Sequence, residues 1–155
     1  MKKDHSPIVP QKDKIKEKLT IKELNWTEKQ KVIIEESLKK ENRIVWIGGP
    51  AGSSKTLLSV YCSLRMLNEK KISDIIYIRS AVESSDSRLG FLPGDVEEKL
   101  HFYNLPFYDK LEELLPKNQI DILQKENRIS IYPVNYARGM SWNAKVIIFD
   151  EMQNS

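Results

Sequence analysis

The sequence predicts an α/β fold with a mainly parallel sheet flanked by helices, and three observations lead to this prediction. Four short apolar runs have the composition of buried strands, namely residues 44–47, 75–78, 129–132 and 146–149. The segment between the first two runs has a helical spacing of apolar residues, and a connection of that length implies a parallel, right-handed crossover. A glycine-rich turn ends the first run and begins that helix.

The glycine-rich turn has the build of a phosphate-binding P-loop. A helix start offers unsatisfied backbone N–H groups and the positive end of the helix dipole, so it attracts anions. Lys55 is predicted to reach the β and γ phosphates of a nucleotide, and the Thr56 hydroxyl is predicted to hold Mg²⁺. The residues of this loop that are predicted to bind ATP are Gly49, Pro50, Ala51, Gly52, Ser53, Ser54, Lys55 and Thr56.

Ser54 is the one residue of this loop that departs from the pattern G-x-x-x-x-G-K-[ST], which has glycine at that position. Its Cβ would stand where the backbone comes closest to the phosphates, and glycine avoids that crowding. Two outcomes stay open. Either a small serine is tolerated and its hydroxyl adds a donor, or ATP binding is weakened.

Two adjacent carboxylates, Asp150 and Glu151, follow the last apolar run. Asp150 is predicted to hold Mg²⁺, usually through water, opposite Thr56. Glu151 is predicted to orient and polarise the water that attacks the γ phosphate. Strand ends are often acidic for solubility alone, but a carboxylate pair downstream of a P-loop favours a nucleotide hydrolase.

The other helices are predicted from apolar spacing and from capping residues. Residues 81–94 read as a loop, and Pro133 stops the third apolar run. The helix that contains the phosphate-loop lysine extends to about Asn68. The predicted helix starts, in chain order, are after Thr27, in the phosphate loop, at Asp95, at Pro106 and at Ile120.

Gln30 has two interpretations. Thr27 followed by Gln30 is a capping box, which satisfies backbone N–H groups at a helix start. Many nucleic-acid-dependent ATPases also place a glutamine ahead of the P-loop to read the adenine edge, so Gln30 is a candidate nucleotide contact. The sequence leaves both roles open. Trp26 either packs at this helix start, which is the default, or stacks on a base.

Composition indicates a soluble globular chain with one domain, residues 22–155, after a charged and poorly ordered arm, residues 1–21. The 25 basic and 22 acidic residues give a net charge of +3, which is too small to indicate a nucleic-acid partner by itself. Cys62 is the only cysteine, so no internal disulfide can form and a cytoplasmic location fits. Its apolar surroundings favour a core residue over a nucleophile. No apolar run reaches the length of a membrane span.

Several stretches of the sequence together resemble the PhoH-like ATPases, which are phosphate-starvation-linked P-loop proteins of bacteria and their phages. The resemblance covers roughly Gln30 to the carboxyl terminus. The segment from Gly90 to Lys99 is more specific than the P-loop, because it separates this family from other nucleotide-binding proteins. The stretches that carry the resemblance are the phosphate loop, residues 79–83 (RSAVE), residues 89–99 (LGFLPGDVEEK) and residues 149–154 (FDEMQN).

The resemblance implies a RecA-like domain related to the helicase core, with ATP binding and hydrolysis, Mg²⁺ as cofactor and RNA or single-stranded nucleic acid as partner. Gln153 is similar to the helicase-type glutamine that follows the acidic pair and senses the γ phosphate or the attacking water. Arg138 and Gly139 match a family pair, whose arginine either faces phosphate or nucleic acid or makes a turn-stabilising salt bridge. Analogy with the family also implies a ring-forming homo-oligomer.

Family members continue beyond the acidic pair, through a helix and a strand that ends in a polar sensor, whereas this sequence stops at Ser155. In RecA-like sheets that strand lies between the strand before the phosphate loop and the strand before the acidic pair. Residues 44–47 and 146–149 are therefore expected to have unpaired inner edges, which favour aggregation or pairing with another chain. We expect either a fragment of a longer protein or a second polypeptide that completes the sheet.

Overall fold

A computed structural model of the chain describes residues 14–50, 52, 54–79, 106–134 and 143–150. It confirms an α/β fold with helices against a parallel sheet. The loop predicted for residues 81–94 and the helix predicted at Asp95 lie outside the described residues. The elements are α1 (Glu28–Leu38), α2 (Lys55–Asn68), β1 (Asp74–Arg79), α3 (Pro106–Leu114), α4 (Lys117–Lys125), β2 (Ile129–Pro133) and β3 (Lys145–Asp150).

The three strands form one parallel sheet in the order β2-β1-β3. The central strand β1 is apolar on both faces, and its residues 75–78 are buried, as expected for a parallel strand covered on both sides. Lys145 and Asp74 pair in register at the amino ends of β3 and β1, with 2.7 Å between the ammonium and each carboxylate oxygen. This register brings Asp150 level with Arg79 at the carboxyl ends.

The predicted strand over residues 44–47 is wrong. Residues 42–50 contain no helix or strand, and the side chains of Ile44 and Trp46 are 77% and 81% exposed. A strand needs a hydrogen-bonded neighbour, and both edges of β1 are already occupied by β2 and β3. Within the described part of the chain no strand pairs with residues 44–47, so the predicted crossover from this run to β1 is also not formed.

Helix α2 lies at the centre of the hydrophobic core, since eight of its 14 residues are buried. Helices α1 and α3 pack against α2, and α2 also contacts β1 and β3. Cys62 is one of the buried residues, and burial raises the pKa of its thiol to about 11. The interpretation of Cys62 as a core residue is therefore confirmed, because a thiol with such a high pKa is not an activated nucleophile.

The packed body of the protein begins earlier than residue 22. Ile15 and Leu19 are buried in the core, although they lie within the range predicted as a poorly ordered arm. The backbone N–H groups of Leu19 and Thr20 donate to the side chains of Asn68 and Gln119, both at 2.8 Å. Residues 14–21 are thus part of the folded body, and residues 1–13 lie outside the described range.

The amino end of α1 has the predicted capping box. The Thr27 hydroxyl accepts a hydrogen bond from the Gln30 N–H at 3.2 Å, and the Gln30 side-chain oxygen accepts one from the Thr27 N–H at 2.8 Å. Trp26 packs against the Tyr61 ring of α2 with 4.7 Å between ring centroids, which confirms the packing interpretation of Trp26.

None of the helices that the structure describes is long and apolar enough to cross a bilayer.

Candidate nucleotide-binding site

The phosphate loop ends where α2 begins, at Lys55. The Ser54 carbonyl accepts the first hydrogen bond of the helix from the Leu58 N–H at 3.0 Å. The preceding N–H groups of the first turn have no partner within a helix, so they are available to an anion in front of the loop. Of the eight predicted loop residues, Ala51 and Ser53 lie outside the described residues.

Ser54 adopts the left-handed backbone conformation, with φ 66° and ψ 24°, and its side chain makes no capping hydrogen bond. This conformation is routine for glycine but costs other residues about 1–2 kcal/mol. Crowding near the phosphates is one reason for glycine at this position. The structure adds a second reason, because the loop requires a positive φ at the residue just before α2.

Lys55 turns back over the loop. Its ammonium donates a hydrogen bond to the Gly49 carbonyl at 2.6 Å, which links the first residue of the loop to the first residue of the helix. The ammonium therefore lies beside the backbone at the start of the loop. A positive charge held there complements the N–H groups of the helix start, and both attract phosphate.

Thr56 and Asp150 meet although 94 residues separate them in the sequence. The Thr56 hydroxyl donates to Asp150 Oδ2 at 3.0 Å, so the start of α2 and the carboxyl end of β3 form one site. A hydroxyl oxygen and a carboxylate are ligands that Mg²⁺ prefers, and the two residues fit the predicted metal site. Within the described residues no group of three or more acidic, His or Cys side chains surrounds it. A magnesium ion here would complete its coordination with water and phosphate oxygens.

Tyr77 is a site residue that the sequence analysis missed. Its phenolic hydroxyl donates to the same oxygen, Asp150 Oδ2, at 2.6 Å. The sequence treats Tyr77 only as part of an apolar strand, because a contact across the sheet depends on strand order and register. The available signal was a single hydroxyl in an otherwise aliphatic run, Ile75-Ile76-Tyr77-Ile78.

Other predicted site residues lie elsewhere. Gln30 is in the cap of α1, where its side-chain oxygen is used by the Thr27 N–H. Glu151 and Gln153, and the Arg138-Gly139 pair, lie outside the described residues. The structure therefore brings together the loop, Lys55, Thr56 and Asp150, and the roles of the remaining residues stay predictions.

Comparison with known proteins agrees with this arrangement. A family model described as "PhoH-like protein" matches residues 21–155. A "PhoH-like protein" of Bacillus subtilis (strain 168) is 40% identical over 116 residues, which are 75% of this chain and 36% of the relative. One of Mycobacterium tuberculosis (strain H37Rv) is 40% identical over 114 residues, 74% of this chain and 32% of the relative. "Protein PhoH" of Escherichia coli (strain K12) is 33% identical over 117 residues, 74% of this chain and 33% of the relative.

The chain thus spans about a third of the length of these relatives. The family match covers the phosphate loop, the sheet and the carboxylate at the end of β3, which are the parts that form the site. This chain belongs to the PhoH-like family of P-loop NTPases.

Proposed function

We propose that this protein is a Mg²⁺-dependent ATPase. The observation that carries the proposal is the 3.0 Å hydrogen bond between Thr56 and Asp150, which joins the phosphate loop to the acidic end of β3. A phosphate-binding helix start and a carboxylate at one site are the two parts that a nucleotide hydrolase needs. Thr56 and Asp150 hold the metal, and a bound Mg²⁺ supplies charge neutralisation to the phosphates.

The chain's own residues bind and orient the substrate. The N–H groups at the start of α2 and the Lys55 ammonium bind the phosphate oxygens, where negative charge grows during in-line attack. Glu151 directly follows Asp150 in the sequence and is proposed as the residue that orients the attacking water. Catalysis then comes from positioning and charge stabilisation rather than from covalent chemistry.

The decisive experiment compares Glu151→Gln with the wild type in steady-state hydrolysis and in an ATP-binding titration. The variant is expected to bind ATP as the wild type does but to lose turnover, because an amide is a poor acceptor for the proton of water. Asp121→Asn is a matched control, since it neutralises an exposed carboxylate on α4. Equal turnover by wild type and Glu151→Gln would refute the assignment of Glu151.

Hydrolysis by this chain alone is expected to be slow. An arginine that reaches the transferred phosphate from a neighbouring chain raises rates by about 10³–10⁵ in other nucleotide hydrolases. Self-assembly into a homo-oligomer is proposed as the source of such a residue here. A rate per chain that rises with protein concentration would support this part of the proposal, and a constant rate would refute it.

We also propose that ATP hydrolysis is coupled to RNA or another single-stranded nucleic acid, and the support is membership of a family that resembles the helicase core. Single-stranded RNA is expected to raise the hydrolysis rate at low salt more than at high salt, because phosphate contacts release counterions. Duplex DNA of the same nucleotide concentration is the control. Equal rates with and without RNA at every salt concentration would remove this part of the proposal.

A non-hydrolysing nucleotide-binding module is the second candidate, and the backbone of Ser54 favours it. A strained serine just before the loop lysine is consistent with a loop that binds nucleotide without turnover. Single-turnover hydrolysis measured beside an ATP titration separates the two candidates. Binding without any hydrolysis, in the presence of RNA, would favour the module.

A further inference from the structure

Tyr77 is held rigidly at the centre of the sheet. It lies on β1, which is hydrogen-bonded to a neighbouring strand on each side, and its side chain is buried. The ring stacks on Phe107 of α3, with 4.7 Å between centroids and 19° between the ring planes. A side chain packed in this way has one available rotamer, so its hydroxyl has a fixed position.

The register of the sheet directs that hydroxyl to Asp150. Tyr77 is opposite Ile148, and Asp150 is the next residue of β3 on the same face as Ile148. The phenol therefore reaches diagonally across the two strands, which long side chains can do. The resulting distance of 2.6 Å is that of a short hydrogen bond to a carboxylate.

Asp150 Oδ2 accepts hydrogen bonds from two hydroxyls on different elements. Thr56 in the first turn of α2 donates at 3.0 Å, and Tyr77 on β1 donates at 2.6 Å. A hydroxyl that donates to a carboxylate keeps its lone pairs for a cation, so the contact with Asp150 leaves Thr56 able to bind a metal. The contact with Tyr77 restricts rotation of the carboxylate itself.

We propose that Tyr77 is a positioning residue, which orients the Asp150 carboxylate for a divalent cation. The inference rests on the proposed Mg²⁺ site and adds a residue to it. It also connects α3 to the site, because Phe107 supports the ring that holds the carboxylate. Removal of a hydrogen-bonding partner behind a metal ligand typically lowers metal affinity by about 10–100-fold.

The test is Tyr77→Phe, which keeps the ring and its stack on Phe107 and removes only the hydroxyl. Binding of Mn²⁺ to the ATP complex and the spectrum of the bound ion are measured by electron paramagnetic resonance at pH 7. We expect about 10-fold weaker binding and a changed spectrum of the bound ion, because a carboxylate that is free to rotate presents its oxygens to the metal differently. ATP affinity without metal should be unchanged.

Tyr61→Phe is the matched control, because Tyr61 is another buried tyrosine that donates to a carboxylate, Glu23 Oε1, at 2.7 Å. Both variants should lose similar stability in thermal unfolding, and only Tyr77→Phe should change Mn²⁺ binding. Failure of the wild type to bind Mn²⁺ with ATP would overturn both the proposed function and this inference. If Tyr77→Phe binds Mn²⁺ with an affinity within twofold of the wild type and with an unchanged spectrum of the bound ion, this inference alone would be overturned.

Discussion

At Ser54 the residue type affects both the stability of the phosphate loop and the approach of a phosphate. The motif identifies the loop correctly from residue types, since Lys55 and Thr56 lie at the start of α2 as predicted. The motif does not give the reason for glycine at the preceding position. That reason depends on φ, which is 66° at Ser54 and is known only from the folded loop.

Ser54→Gly should therefore raise the free energy of unfolding by up to about 1 kcal/mol, because relief of left-handed strain exceeds the added entropy of the unfolded chain. Ser54→Ala is the matched control: it keeps the Cβ and removes the hydroxyl, so it should leave stability unchanged. Urea unfolding measures the free energy of unfolding of both variants.

An ATP titration of the same variants shows whether the serine weakens ATP binding or is tolerated in the loop. A large gain in affinity for Ser54→Gly alone indicates crowding of the phosphates, and equal affinity indicates that serine fits.

Cys62 predicts a pH dependence of stability. Burial raises the pKa of the thiol from 9.0 to about 11, so the unfolded chain loses this proton at a lower pH than the folded chain does. The contribution of the Cys62 thiol to the free energy of unfolding is fully present below pH 9. It is lost as the pH rises towards 11, by about 2–3 kcal/mol in total. Cys62→Ala should reduce the slope of unfolding free energy against pH in this window. Contributions of Tyr61 and other groups common to both proteins cancel in the difference, and equal slopes would contradict the prediction.

At the level of elements, the local spacing of apolar residues predicts a helix or strand correctly where the neighbouring elements that it packs against or pairs with are also present. Helices α1 to α3 and strands β1 to β3 occur where apolar spacing and capping residues predict them, whereas α4 begins at Lys117, three residues before the predicted start at Ile120. Residues 44–47 have the same composition but form no strand, because strand formation depends on a neighbour that local sequence does not specify. Ile15 and Leu19 show the converse, since these two apolar residues of a lysine-rich segment are buried in the core, and backbone hydrogen bonds of Leu19 and Thr20 also hold the segment there.

The cap of α1 allows the two roles of Gln30 to be separated. Gln30→Glu keeps the capping box, because glutamate also serves at that position, but it replaces the amide donor that adenine recognition requires. Thr27→Ala breaks the cap and keeps the amide, and it should cost about 1 kcal/mol in unfolding free energy. If Gln30 only caps the helix, Gln30→Glu will leave the preference for ATP over GTP unchanged. If the Gln30 amide contacts adenine, the preference for ATP over GTP will fall in Gln30→Glu and will be unchanged in Thr27→Ala.

At the level of the whole molecule, the site exists because two distant segments end at the same edge of the body. Helix α2 starts and β3 ends there, and the parallel register of β3 on β1, which includes the pair of Lys145 with Asp74, accompanies the contact of Asp150 with Thr56. Residue types predicted this pair, because a P-loop and a later acidic strand end are complementary in chemistry. Tyr77 was not predictable in the same way, since its role follows from strand order, which places β1 next to β3.

The exposed apolar segment before the phosphate loop predicts self-association of the 155-residue chain. Ile44 and Trp46 are more than three-quarters exposed, and Phe149 on β3 is 41% exposed, so these large apolar side chains present apolar surface to solvent. Ile44→Thr with Trp46→Thr should shift the chain towards monomer in sedimentation velocity and leave its unfolding free energy nearly unchanged, because residues 44–47 make no strand pairs in the described structure. Val32→Thr is the control, since Val32 is an exposed apolar residue on α1, 59% accessible, and should not alter association. A wild-type chain that sediments as a monomer at all concentrations would contradict the prediction, and so would equal association of the wild type and the double variant.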